Sequence, residues 1–230
     1  MLRLYIGNKN YSSWSMRAGV LLRQAGIEFE EVMLRFDSFG EGSRFKTALA
    51  QVSPAQTVPV LVDEDFAVWD SLAIAEYVAE RFPARQLWPQ DGRARARARS
   101  VCAEMHSGFS ALRHHCPMNI EALLPEAGAQ VWREQAQVRA DIARIVAIWT
   151  ELLAQHPHAE GMLFGRFSIA DAFFAPVCMR ITTYALPVSE VAEAYMARVR
   201  ALPAVRAWID EALGEQDFVA FDEPYRTGRG

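Results

Sequence analysis

The stretch "VPVLVDEDFAVWDSLAIAEYVAERFP", residues 58–83, decides how the first third of the chain folds. Two brief apolar runs, residues 58–62 and Phe66–Trp69, flank the tight link Asp63-Glu64-Asp65 and predict paired strands. After Trp69 the period changes from two to that of a helix, with Ile74, Ala75, Val78 and Phe82 on one face. Upstream, Leu2, Leu4 and Ile6 alternate as in a strand. Ala18, Leu21, Leu22 and Ala25 fall at helical spacing before the natural stop Gly26. Residues 28–34 form a plausible second strand and Arg44–Ala50 a short helix. The expected order is β-α-β-α-β-β-α.

Beyond Phe82 the character shifts. "PARQLWPQDG", residues 83–92, holds two prolines and a glycine and predicts an interdomain linker. The rest predicts helices at roughly 93–116, 128–155, 168–184 and 189–201, with a shorter one after, and the polar tail "DEPYRTGRG" is expected to be loosely held. The expectation is an α/β domain over 1–82, a linker over 83–92 and an all-helical domain over 93–230.

The 230 residues suffice for a substantial core. A net charge of -4 gives no reason to expect nucleic acid or anionic membrane as a partner. The arginines of "RARARAR", residues 93–99, spread around a helix axis instead of forming one stripe. No apolar run reaches the length of a membrane span, and the N-terminus has too short an apolar core for a secretion signal, so cytoplasm is the default. Cys102, Cys116 and Cys178 form no CxxC pair, and no metal is expected.

Several positions carry chemistry in their own right. Pro59 lacks a backbone donor and opens a strand, leaving Val58 with backbone groups free to pair with an extended peptide; a proline that merely ends a loop is the alternative. Asp70 and Ser71 open a helix whose first amides have no internal partners, so this end suits an anion. Either residue could instead be a plain N-cap. Ser168 and Asp171, flanked by Phe167 and Ala172, form a capping pair with a staple, which is a structural device. "NKNYSSWSMR", residues 8–17, crowds Tyr11, Ser12, Ser13 and Ser15 into the approach to the first helix.

In order and spacing these features resemble the glutathione transferase family over nearly the whole chain. Residues 58–83 look like the glutathione-binding half of its thioredoxin-like domain, "SSWSMR" is similar to the Ser-Ser-x-Ser-x-Arg pattern of the zeta class, and "FSIADA" (residues 167–172) matches its helical-domain capping motif. That class includes maleylacetoacetate isomerases, and "QLWPQD" strengthens the comparison. The resemblance implies a thioredoxin-like domain followed by an all-α domain, glutathione as substrate or cofactor, a small electrophile and a homodimer. It implies a cis Val58–Pro59 bond with Val58 pairing to the cysteinyl unit, and Asp70 and Ser71 holding the γ-glutamyl head. Gln56 and Thr57 are weaker contacts.

Ser12 matches the family's thiolate-contacting position, Ser13 stands close behind it, and Ser15 is expected to cap the helix. A serine here acts as a hydrogen-bond donor, not a base. Lowering a thiol pKa by about two units takes roughly 2.7 kcal/mol, within reach of one hydroxyl donor and a helix N-terminus. Tyr11 could also donate. The electrophile is expected beside Tyr11 and Trp14, between Ser12 and the first helix of the second domain. Met105, His106, Phe109 and Arg113 are possible lining, although such spacing also suits core packing. Trp14 stands where the zeta class has cysteine, so transfer of glutathione to electrophiles is expected first. Glutathione-dependent isomerisation and a non-catalytic binding role are the alternatives.

Overall fold

The computed structural model describes residues 1–229. Four strands, β1 (Leu2–Ile6), β2 (Glu30–Met33), β3 (Val60–Asp63) and β4 (Phe66–Trp69), form one mixed sheet in the order β2-β1-β3-β4. β1 runs parallel to β2 and antiparallel to β3, pairing Tyr5 with both Val32 and Val60. Helices α1 (Ser13–Gln24) and α3 (Ser71–Arg81) and the short α2 (Arg44–Ala50) complete the expected β-α-β-α-β-β-α unit.

Strand alternation explains the layering. Leu2, Leu4, Ile6 and Leu61 join the main core with Met16, Leu21, Ile74 and Val78 of α1 and α3. On the opposite face, Val60 and Val62 pack with Phe45 and Leu49 of α2, with Tyr5 and Phe36 alongside. The sheet is thus covered on both sides.

The second unit holds α4 (Gly92–Ser107), α5 (Ser110–His115), α6 (Pro125–Glu134), α7 (Ala136–Gln155), α8 (Ile169–Tyr184), α9 (Glu190–Ala201) and α10 (Pro203–Glu215). The nearly wholly buried α8 sits at its centre and packs on α1. At Gly19 of α1 an added Cβ would run into the Trp208 ring of α10, so the close approach of these helices requires glycine there. One continuous core therefore joins both units.

Two expected helices are each divided. The first breaks at Gly108–Phe109, where Phe109 adopts φ 55° and turns its ring into the core. Arg113 caps the His106 carbonyl (3.1 Å), and buried Asp141 accepts from the Leu112 amide (3.0 Å) to hold α5. The second starts at Pro125, a residue suited to a helix's first turn, and breaks at Gln135, where Arg139 takes the Trp132 and Arg133 carbonyls. Nor is the final helix shorter than α9: α10 has 13 residues against 12.

The tail is held. Glu223 is buried and accepts from Tyr11 Oη (2.6 Å), Asn119 Nδ2 (2.9 Å) and Arg226 Nε (2.9 Å). Arg229 pairs with Glu121 (2.9 Å). A polar composition failed to predict order because the partners outside the tail, Tyr11, Asn119 and Glu121, lie a hundred or more residues away.

Candidate active site

A cavity of about 1010 Å³ opens between the two units. Three sets of backbone ends meet on it: the start of α1, the approach to β3, and the start of α3.

At the first, the chain leaves β1 through a turn in which the Ser12 amide donates to the Asn8 carbonyl (2.8 Å). Ser12, not Ser15, is the N-cap: its Oγ accepts from the Ser15 amide (3.3 Å) and donates to Ser15 Oγ (2.7 Å). Ser15 Oγ in turn accepts from the Gly7 amide (3.1 Å), so its side chain anchors the end of β1. Ser13 Oγ accepts from Nη2 of Arg180 (3.1 Å). Tyr11 Oη is occupied by Glu223 and by the Val219 amide (3.3 Å), and burial pushes the phenol up to about 12. Ser12, Ser13, Tyr11 and Trp14 all line the cavity.

The second set is Gln56, Thr57, Val58 and Pro59, all lining the cavity. The Val58–Pro59 bond is cis. Lys46 of α2 donates to the Gln56 carbonyl (2.8 Å), while the Val58 amide and carbonyl have no hydrogen-bond partner among the described residues.

At the third, Asp70 is the N-cap: Oδ1 accepts from the Leu72 (2.8 Å) and Ala73 (3.4 Å) amides. Its φ of 74° is uncommon for a non-glycine residue. Oδ2 faces Nε2 of His106 (3.2 Å), which ties α3 to α4. Ser71 is buried, and its Oγ has no partner among the described residues.

Of the residues expected to receive an electrophile, Tyr11, Trp14 and Arg113 line the cavity, and Met105, His106 and Phe109 do not. Met105 and Phe109 belong to the core. His106 lies behind Trp14, edge to face at 5.1 Å. Trp14 also covers the buried Arg17 guanidinium at 4.3 Å, with Phe173 on it at 5.0 Å. Ser168 and Asp171 lie away from the cavity and form a capping box at the start of α8.

The sequence reading missed Lys46, Phe36, Phe39, Met118, Asp222 and Arg180 as cavity residues. Arg180 had a signal: it is the one charged residue between Asp171 and Tyr184 of an apolar helix. The three cysteines are buried and free, and burial raises each thiol's pKa. Among the described residues no cluster of His, Cys, Asp and Glu is placed to hold a metal, and no helix is long and apolar enough to cross a membrane.

A thioredoxin-like sheet followed by a helical bundle, with the cavity at their junction, defines a glutathione transferase fold. Two family models match in that order: the glutathione S-transferase N-terminal domain over residues 11–81 and its C-terminal domain over residues 121–211. Together they span more than half of the chain, which belongs to the glutathione S-transferase family. Among curated relatives, a stringent starvation protein A homolog of Pasteurella multocida is 27% identical over 186 residues, 78% of this chain and 77% of that one. Maleylacetoacetate isomerase of Rattus norvegicus is 32% identical over 111 residues, 48% and 50% of the two chains. Among solved structures, a glutathione transferase homolog from Burkholderia gl BGR1, with bound glutathione, superposes with a TM-score of 0.67 at 24% identity, covering 93% of this chain and 98% of that one.

Proposed function

We propose that this protein is a glutathione transferase that binds the tripeptide along the approach to β3 and activates its thiol with a serine at the start of α1. One observation carries this: three kinds of unspent hydrogen-bonding group face a single cavity. They are the Val58 backbone, the buried Ser71 hydroxyl beside Asp70, and the Ser13 hydroxyl at the start of α1, whose proton has no acceptor among the described residues. An extended peptide pairs with the first. An α-amino acid head, which carries both charges, fits the second, with its carboxylate on the Ser71 end of α3 and its ammonium on Asp70. A thiol then lies toward the third, where a hydroxyl and the helix N-terminus together favour the thiolate.

The likeness to maleylacetoacetate isomerase supports a narrower, zeta-like reading, in which glutathione adds to a double bond and leaves again. A homodimer and a cytoplasmic setting belong to the same proposal; exposed Phe66 and Trp69 on the edge strand β4 support the former. Sedimentation equilibrium is expected to give twice the chain mass.

Calorimetry with glutathione, followed by turnover with a panel of electrophiles, tests the proposal. Saturable binding is expected, with conjugation lowered more than tenfold when the thiol-contacting serine becomes alanine. Net consumption of glutathione means transfer. Isomerisation of a cis-dicarbonyl substrate with no net consumption means the narrower activity. Binding without turnover leaves a glutathione-fold binding protein, and absence of binding refutes the proposal.

A further inference from the structure

We infer that Arg180 is a positioning residue that makes Ser13, rather than Ser12, the hydroxyl that donates to the thiol. The inference rests on the glutathione reading above and concerns how this chain arranges its own serines.

The first support is proton accounting. The Ser12 hydroxyl is engaged in the helix start: its oxygen accepts from the Ser15 amide, and it shares a hydrogen bond of 2.7 Å with Ser15 Oγ. The Ser13 oxygen accepts from Nη2 of Arg180, and its own O–H has no acceptor among the described residues. Ser13 lines the cavity, so that proton is available to a guest. A hydroxyl that accepts from a cation is also the stronger donor.

The second support is the unusual state of Arg180. It is buried, and no carboxylate lies within ion-pair distance among the described residues. Its other hydrogen bonds go from Nη1 to the backbone carbonyls of Cys116 and Arg113, which orient the guanidinium without neutralising it. The charged and titratable groups facing it are Tyr184 on its own helix, Cys116 and Arg113 from the α5 side, the buried Arg17 from α1, and Asp222 from the C-terminal segment. Burial raises Tyr184 and Cys116 far enough to keep both neutral at pH 7, and Arg113 repels. Burial pulls Arg180 itself down to about 10, which leaves it cationic. Buried cations are ordinarily paired, and an anion in the cavity beyond Ser13 would supply the missing partner. Asp222 lines that same cavity, at its C-terminal wall.

On ionisation the thiol gives its proton to solvent. Ser13 O–H then donates to the sulfur, while Arg180 N–H continues to donate to Ser13 Oγ. No other bond is made or broken.

The test is the pKa of the bound thiol, followed by ultraviolet difference absorbance across a pH titration. S13A is expected to raise it by about two units, back toward the free value near 8.5, which lowers the thiolate fraction more than tenfold at pH 7; R180Q is expected to raise it by about one unit, which lowers that fraction about threefold. Conjugation should recover at alkaline pH, a response that a merely loosened fold would not give. R180K retains the charge without the planar fork and should fall between wild type and R180Q; it also serves should R180Q fail to fold. S13A combined with R180K should shift the pKa no further than S13A alone, since the two act in series. A normal pKa in R180K and R180Q, with a raised one in S13A, overturns the role of Arg180 and leaves the serine mechanism intact. A raised pKa in S12A with none in S13A overturns the choice of serine. A wild-type protein that binds no glutathione overturns both this inference and the proposed function.

Discussion

Two helices in this protein begin with the same two residue types, and they use them in opposite ways. At α8, Asp171 accepts from the amides of Leu163 (3.0 Å) and Ser168 (2.9 Å) and from the hydroxyls of Ser168 (3.1 Å) and Tyr195 (3.1 Å). It is fully buried, and burial lifts its carboxyl to about 6 against the pull of those four donors. At α3, Asp70 uses one oxygen on the helix amides, and Ser71 has a buried hydroxyl with no partner, on the wall of a cavity. A polar cluster that is satisfied internally stabilises the fold, whereas one left partly unsatisfied is ready to bind.

The largest effect is expected from Asp171→Ala. Four buried donors lose their acceptor at once, and each unsatisfied group costs about 1–3 kcal/mol, less where water enters. A net loss on the order of 4 kcal/mol should lower the melting temperature by about 10 °C for a chain of this size. Molecules that remain folded should bind glutathione normally. A thermal melt and a calorimetric titration of one sample measure both. An unchanged melt with lost binding would remove the contrast between the two helix starts.

Ser71→Ala is the converse. No hydrogen bond among the described residues depends on its Oγ, so stability should change by less than about 0.5 kcal/mol. A charge-assisted bond to a ligand carboxylate is worth about 1.5–3 kcal/mol, so the dissociation constant for glutathione should rise about tenfold or more. Equal affinity in the variant would mean that the orphaned hydroxyl is a packing accident, and would move the γ-glutamyl head away from α3.

How much of this could be read from the residues depends on the range of the interactions involved. The β-α-β-α-β-β-α order follows from periods of two and 3.6, which are local, and the strands fall within two residues of expectation. Pro59, Asp70 and Ser71 were legible because turn and cap chemistry is written in adjacent residues. The helix breaks at Phe109 and Gln135 were not, since side chains such as Asp141 and Arg139 decide them through tertiary or later-turn contacts. The choice between Ser12 and Ser15 as the cap failed for the same reason: the Gly7 amide at the end of β1 claims Ser15. Met105 and Phe109 sit at helical spacing with Arg113, yet only Arg113 reaches the cavity, because spacing does not say which neighbour a face will meet. Arg180 joins the site from 167 residues away in sequence.

The smallest effect, and the sharpest comparison, comes from repeating one substitution at the other helix. Ser168→Ala removes a hydroxyl that donates to Asp171 (3.1 Å) at the start of α8, as Ser71→Ala removes one at the start of α3. Asp171 keeps the Ser168 amide, the Leu163 amide and the Tyr195 hydroxyl, so the box is weakened and not dissolved. Loss of such a cap costs about 1 kcal/mol, or about 3 °C in melting temperature. Glutathione affinity should stay at the wild-type value. The same chemical change would then move only stability at one helix and only affinity at the other. A Ser168→Ala protein that melts normally would show that Asp171 needs no help from its cap residue. One that binds glutathione more weakly would show that α8, which carries Arg180 on its buried face, transmits strain at its N-terminus to the cavity.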